Sequence, residues 1–249
     1  MIKRILIIIN FLFFVSFSNA QTFKIKSLDG IFQQIHLMHE VGDQKLVISC
    51  FKDTIVINDF INISKNVAIL KDCFLEIQYS IRSGSNQSTE RLILLCVNKN
   101  KLYQAVHMQS IETFDIDEVY DKTADSLKLF DEHGDYELKV DLTGSNIGNY
   151  KLKVYIHDES KSKYDPKTDH NYNAQVILGF DSNNDIFYSY FEDISQYFTV
   201  YNLKIHKKIK QYFVDTFPIV KLNKIIYYYI KGGWYEKGNN NELVKFTYE

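Results

Sequence analysis

The stretch Arg91–His107 constrains the fold more than any other. Six apolar residues run without a break, Leu92-Ile93-Leu94-Leu95-Cys96-Val97, and the polar quartet Asn98-Lys99-Asn100-Lys101 follows them. A second largely apolar run, Leu102–His107, then returns. A continuous apolar run this short, ended by turn residues, reads as a strand buried on both faces. Asn tolerates the left-handed backbone of a tight turn, so the quartet reads as the bend of a β-hairpin.

The same design recurs along the chain. Ala174–Phe180, the turn Asp181-Ser182-Asn183-Asn184 and Asp185–Phe191 form a second predicted hairpin. Thr22–Ser27 alternates apolar and polar residues, and Thr54–Ile61 is rich in β-branched side chains. Lys45–Phe51, Val67–Leu70, Phe74–Ile81, Tyr136–Leu142, Tyr150–His157, Lys224–Ile230 and Leu243–Tyr248 are further strand-like runs. Gln34–Val41 suits a strand or a short helix, and Gln196–Ile205 reads as strand although its apolar spacing also suits a helix. Polar loops are expected at residues 83–88 and 158–173. The expectation is an all-β protein, an antiparallel hairpin meander of sandwich or barrel-like form. Only ten glycines and no repeated Trp or Gly signature weigh against a propeller.

One stretch breaks the pattern. Acidic residues crowd residues 111–135, and Val119, Thr123, Leu127 and Phe130 recur at helical spacing. The spacing predicts one short helix over residues 117–130, with residues 111–134 as an acidic linker. That linker divides a β half at residues 21–110 from a second at 135–249, unless 21–249 is one continuous domain.

Residues 1–20 predict a signal peptide. Lys3 and Arg4 precede an apolar run from Ile5 to Phe17, and Ser18-Asn19-Ala20 supplies small residues before Gln21. The run is shorter than the roughly 20 apolar residues of a spanning helix. The mature chain is therefore expected to be exported, periplasmic or extracellular, with no transmembrane helix after cleavage. Its Asn-, Lys-, Ile- and Tyr-rich usage resembles that of exported proteins of AT-rich Gram-negative bacteria.

Without the leader the formal net charge goes from −2 to −4, because Lys3 and Arg4 leave with it. A mildly acidic, mixed-sign surface argues against nucleic acid as a partner. The one basic cluster, Lys204, Lys207, Lys208 and Lys210, reads as a solvated face. Export permits disulfides, but three cysteines leave at least one thiol over. Cys50, Cys73 and Cys96 each sit in or beside an apolar run, so buried free thiols are expected, with one disulfide as the competing arrangement.

Three constellations are worth following. Tyr227-Tyr228-Tyr229 alternates faces along a predicted strand, so Tyr228 points away from its neighbours. Gly232-Gly233 then leads to Trp234, the only tryptophan, and Tyr235. Tyr228, Trp234 and Tyr235 are the candidate ligand-binding residues, since such rings suit half-wet contacts with a sugar or a protein. Core packing is the competing reading for all three. Asp181, Asn183, Asp185 and Glu192 fall at positions one, three, five and twelve of a calcium-loop spacing, but Ile186 stands where that loop wants Gly, and a plain hairpin turn fits as well. His36 and His39 would share a face on a helix and part on a strand. No cofactor is implied.

No catalytic signature is present: there is no Gly-x-Ser-x-Gly, no His-Glu-x-x-His and no phosphate loop. The expected function is an exported, non-catalytic binding or envelope-associated protein whose partner is a glycan or an envelope protein. The alternative is a hydrolase whose paired carboxylates act on a polysaccharide or envelope polymer.

Overall fold

A computed structural model describes residues 18–40, 42, 44–84, 87–123, 126–190, 219–222, 224–230, 233–237 and 242–245. Four strands, β1 (Ser18–Lys26), β2 (Phe32–Glu40), β3 (Lys45–Cys50) and β4 (Asp53–Ile57), form an antiparallel meander of their own. A second sheet begins with β5 (Phe60–Ile63), β6 (Ala68–Leu70), β7 (Phe74–Ile81), β8 (Gln87–Asn98), β9 (Lys101–Thr123) and β10 (Ser126–Thr143). It continues through β11 (Lys151–Ser162), β12 (His170–Asp181), β13 (Ile186–Tyr190), β14 (Ile219–Leu222), β15 (Ile225–Ile230), β16 (Gly233–Lys237) and β17 (Leu243–Lys245). In space the order is β17 back to β7 in sequence, then β5, with β6 paired to β7 off that path. The fold is all-β and built of hairpin neighbours, as its sequence pattern implies. Among the described residues no helix is long and apolar enough to cross a membrane.

The run Leu92–Val97 lies in β8 and is buried on both faces. Leu92, Leu94 and Cys96 join one core, and Ile93, Leu95 and Val97 join another. In the second core, Ile25, Ile35, Leu37, Leu46 and Ile48 of the four-stranded sheet cover Leu75, Ile77 and Tyr79 of β7 and the odd-numbered side of β8. In the first, Leu138, Leu152, Val154, Ile156, Val176, Leu178, Phe187, Val220 and Trp234 cover the other side. The large sheet therefore turns back over its own β7–β8 region, and β8 is the middle of three layers. Register shifts at Glu90/Arg91 and Leu94/Leu95 interrupt the β8–β9 ladder within its length. Such bulges bend a strand and raise its twist. Contacts across the layers confirm the closure: Cys73 Sγ donates to Tyr150 Oη at 3.3 Å, and Phe74 packs edge-on against Tyr150 and Phe180 at 5.3 and 5.6 Å.

The turn predicted after β8 forms as a two-residue bend, whereas the one predicted after β12 spans four residues, Ser182–Asp185. Lys99 and Asn100 both take positive φ, 49° and 64°, between β8 and β9. Lys71 and Asp72 do the same at 50° and 60° between β6 and β7. Two left-handed residues in succession match the twist of the flanking strands.

The helix expected over residues 117–130 is not formed. Residues 117–123 end β9 and residues 126–130 open β10, paired from Ser126↔Thr123 through Phe130↔Val119. The apolar spacing is the same, but pairing sets Asp121 opposite Lys128 along a two-stranded ladder that runs from Thr123 and Ser126 to Val119 and Phe130. The β-branched residues Ile111, Thr113, Ile116, Val119 and Thr123 favour that outcome. The described residues of 111–134 all belong to β9 or β10. Three smaller expectations also need amending. Residues 34–40, for which the sequence leaves strand and helix both open, are strand within β2. The loop expected over 158–173 is shorter, because β11 continues to Ser162 and β12 starts at His170, with a 3₁₀ turn at Pro166–Thr168 between. And β13 pairs with β14 in parallel, Ser189↔Val220 and Tyr190↔Lys221, the one departure from antiparallel order among the described strands. A parallel pair requires a long crossover, and residues 191–218 intervene. The strand expected at 196–205 and the lysine cluster at 204–210 lie outside the described residues, as does the predicted leader up to residue 17.

Candidate functional site

The C-terminal aromatics divide between core and surface. On β15, Tyr227 is buried in the first core, whereas Tyr228 faces the other way and is half-buried. Trp234 is only 3% exposed and packs against Tyr229 with ring centroids 5.3 Å apart. It is a core residue rather than a ring held out for a ligand. The reason is register: Tyr229↔Trp234 and Tyr228↔Tyr235 are cross-strand pairs, which puts Trp234 on the inward side of β16. Tyr235 is half-buried beside Tyr228.

Tyr228 opens onto a cleft of about 530 Å³ at the β12–β13 turn. Asp181 and Asn183 stand on one side of it, Lys221, Lys224 and Ile225 on the other, and Tyr188 at its floor. Two of the calcium-spaced residues are thus brought to the same cleft as Tyr228. Their oxygens are committed to the turn, however. Asp181 Oδ1 accepts from the Asn183 backbone N–H at 2.9 Å and Oδ2 accepts from Asn184 Nδ2 at 2.8 Å. Asp185 turns away from the cleft. It is 4% exposed, takes φ +57°, and both its carboxylate oxygens accept from Asn98 Nδ2, at 3.2 and 2.9 Å. Burial pushes its carboxyl up, the bond from Asn98 pulls it down, and the Asp181 charge pushes it up again. Glu192 lies outside the described residues. Among the described residues no group of three or more His, Cys, Asp or Glu side chains is placed to hold a metal. The three described positions, Asp181, Asn183 and Asp185, spend their side chains or backbone on the turn and on Asn98.

Burial, and then the Asp181 charge, raise the Tyr228 hydroxyl above its ordinary value, so it stays protonated and able to donate at neutral pH. Tyr188 is the residue that spacing does not single out. Its ring lies across Gly179, its register partner; a Cβ there would meet the Tyr188 Oη at 3.2 Å. Lys221 Nζ sits 4.7 Å from the ring centroid and donates to the Tyr188 hydroxyl at 3.4 Å. A lysine over an aromatic face is held by the ring quadrupole, so Lys221 is positioned at the cleft mouth. On the other side of Tyr188 a second cleft, of about 660 Å³, is walled by Gly144, Asn149, Lys151 and Ile177. Phe180 and Tyr188 line both. The signal that could have exposed Tyr188 and Lys221 is the glycine in an otherwise apolar strand, a mark of close approach by another group.

The other flagged residues are structural. His36 Nδ1 lies 3.0 Å from Thr22 Oγ1, while His39 meets the Phe60 ring edge-on at 4.7 Å, so the two part on β2 as strand geometry requires. Cys50, Cys73 and Cys96 are all free and buried, and burial raises each thiol. No family model, curated protein or solved structure matches the chain.

Proposed function

We propose that this chain is an exported, non-catalytic binding module of the cell envelope whose ligand seat is the cleft at the β12–β13 turn. One observation carries the reading: Tyr228, Asn183, Lys221 and Tyr188 converge on an open cleft that the sheet's core does not need. The Tyr228 hydroxyl, the Asn183 amide and the Lys221 ammonium are all hydrogen-bond donors, and the Tyr rings add apolar surface beside them. A few convergent polar groups beside aromatic surface is the composition of a recognition site. The leader-like residues 1–20 supply the expectation of export.

Two measurements test this. N-terminal sequencing of exported protein is expected to begin at Gln21; an intact Met1 on membrane-bound product refutes export. Isolated envelope fractions and their purified polymers are expected to retain the mature chain, and Tyr228→Ala combined with Asn183→Ala is expected to abolish retention. Release of new reducing ends from those polymers by the wild-type chain would instead establish a hydrolase.

A further inference from the structure

The two clefts continue into a third. Beyond Gly148 and Tyr150, which line both, a cleft of about 520 Å³ opens over Cys73, between the β6–β7 bend and the loop that joins β10 to β11. The β12–β13 turn, the β10–β11 loop and the β6–β7 bend, which line the three clefts, lie at one end of the strands, and β14 and β15 bring Lys221 and Lys224 to the first cleft from further along the sheet. The register row Thr143↔Lys151↔Gly179↔Tyr188 crosses four neighbouring strands there, and β14 and β15 extend it. Six strands at a spacing of about 4.8 Å make a span of roughly 24 Å perpendicular to them. Tyr188 stands at one junction and Tyr150 at the other, each only 7% exposed and so held in place by packing.

The groove also differs in charge from the molecule around it. The chain carries 29 basic and 31 acidic residues. Lys221 and Lys224 line the first cleft, Lys151 the second, and Lys26 and Lys71 the third. Only Asp181 and Asp72 oppose them on those walls, and the Asp181 carboxylate already accepts two bonds within its own turn. A locally basic groove in an acidic protein concentrates polyanions along its length.

We infer that the three clefts form one extended site for an acidic polysaccharide, its carboxylate groups meeting the lysines and its hydroxyls the Ser, Asn and Tyr groups between them. This inference rests on the binding-module reading and names its ligand class. Apart from lysine ammonium groups, the polar walls are amides and hydroxyls, such as Ser145, Asn146 and Asn149. These groups donate and accept equally well, as a chain of sugar hydroxyls requires.

The test is titration of the mature chain with polygalacturonate, neutral dextran and polyglutamate. Polygalacturonate is expected to bind, to weaken as salt rises from about 0.05 M to about 0.5 M through screening, and to be preferred to both other polymers. The triple substitution Lys151→Gln, Lys221→Gln and Lys224→Gln is expected to weaken it about tenfold or more, since each lost lysine removes a charge-assisted hydrogen bond. Lys139→Gln, on an exposed position of β10 outside the groove, is expected to leave it unchanged. Lys71→Gln is expected to weaken a long galacturonate oligomer and spare a short one that fits the first cleft. Equal binding of dextran, untouched by the triple substitution, overturns the acidic ligand and leaves a binding module standing. Tighter binding of polyglutamate makes the occupant an acidic peptide and overturns the inference. An equal loss on Lys139→Gln reduces the effect to general charge and overturns it too. Binding of none of the three overturns it as well, and the envelope-retention assay then decides whether the underlying reading falls with it.

Discussion

Replacing Trp234 and replacing Tyr228 should have opposite signatures, although both are C-terminal aromatics on paired strands. Trp234 is 3% exposed, inside the core that also holds Val220 and Tyr227. Truncating a buried Trp to Ala costs about 3–5 kcal/mol, because the transfer free energy is lost and a cavity is left. The tilted contact with Tyr229 is part of that loss. In a chain of this size each kcal/mol moves the midpoint by about 2–4 °C, so Trp234→Ala should melt about 6–20 °C lower. Tyr228→Ala empties a half-open position and should cost about 1–2 kcal/mol, a few degrees. Binding should respond the other way round, with Tyr228→Ala losing ligand and Trp234→Ala retaining it in molecules still folded. Thermal melts by circular dichroism measure the first effect. The second readout is intrinsic fluorescence, because Trp234 is the only tryptophan in the chain. Its emission should be blue-shifted and resist quenching by iodide. A red, iodide-quenched emission together with a midpoint for Trp234→Ala within about 2 °C of wild type would refute the placement of β16 and the inward register that fixes it.

Other perturbations test other parts of the fold. His107 Nε2 lies 2.7 Å from Tyr79 Oη, and burial, followed by the Arg91 charge, lowers its pKa to about 4. The folded state thus binds a proton less readily than the unfolded chain. Stability is full above about pH 6.5 and falls by about 3 kcal/mol as pH drops to about 4; urea melts should show that slope, and His107→Gln should flatten it. A disulfide-type thiol reagent should find no reactive cysteine in the native protein and three after denaturation; a single one in the denatured chain would mean a disulfide. At Gly144, where φ is +96° and an added Cβ would collide with the Asn149 carbonyl oxygen, Ala should cost at least about 1–3 kcal/mol, read by the same melts. That cost should come with weaker ligand binding, since the 144–150 loop walls two of the three clefts.

The strands were legible because period-two alternation and a two-faced apolar run are local properties. Leu92–Val97 announces that both its faces are covered, and Asn98–Lys101 announces the bend that follows. The stretch 111–134 misled because Val119, Thr123, Leu127 and Phe130 satisfy a helical stripe as well as they satisfy a hairpin. What decides between them is the partner strand, since Phe130 finds Val119 only once the chain has folded back on itself. Trp234 was ambiguous for the same reason. A flanking pair of glycines suits a presented ring, but pairing with Tyr229 turns it inward.

The site was hidden at a deeper level. Its walls come from residues 26–30, 71–73, 143–151, 177–188 and 221–228, which no spacing rule connects. Apart from 221–228, which the parallel β13–β14 pair brings in from further along the sheet, they meet because hairpin after hairpin returns the chain to the same end, so that alternate connections pile up there. An antiparallel meander of this length builds such a row of connections whether or not a ligand exists. What chemistry the row acquires depends on which residues occupy the bends. Here two of the bends carry Lys71-Asp72 and Lys99-Asn100, with φ values that disfavour β-branched residues. The bends therefore admit Lys, Asn and Asp at low cost, and those same residues leave the sheet with a polar rim. The basic bias of the groove is the part that turn chemistry does not require, because Asn or Gly would serve the backbone as well as Lys. Lys71→Asn should therefore leave the fold's stability nearly unchanged while changing what the third cleft holds, which separates the demands of the bend from those of the ligand.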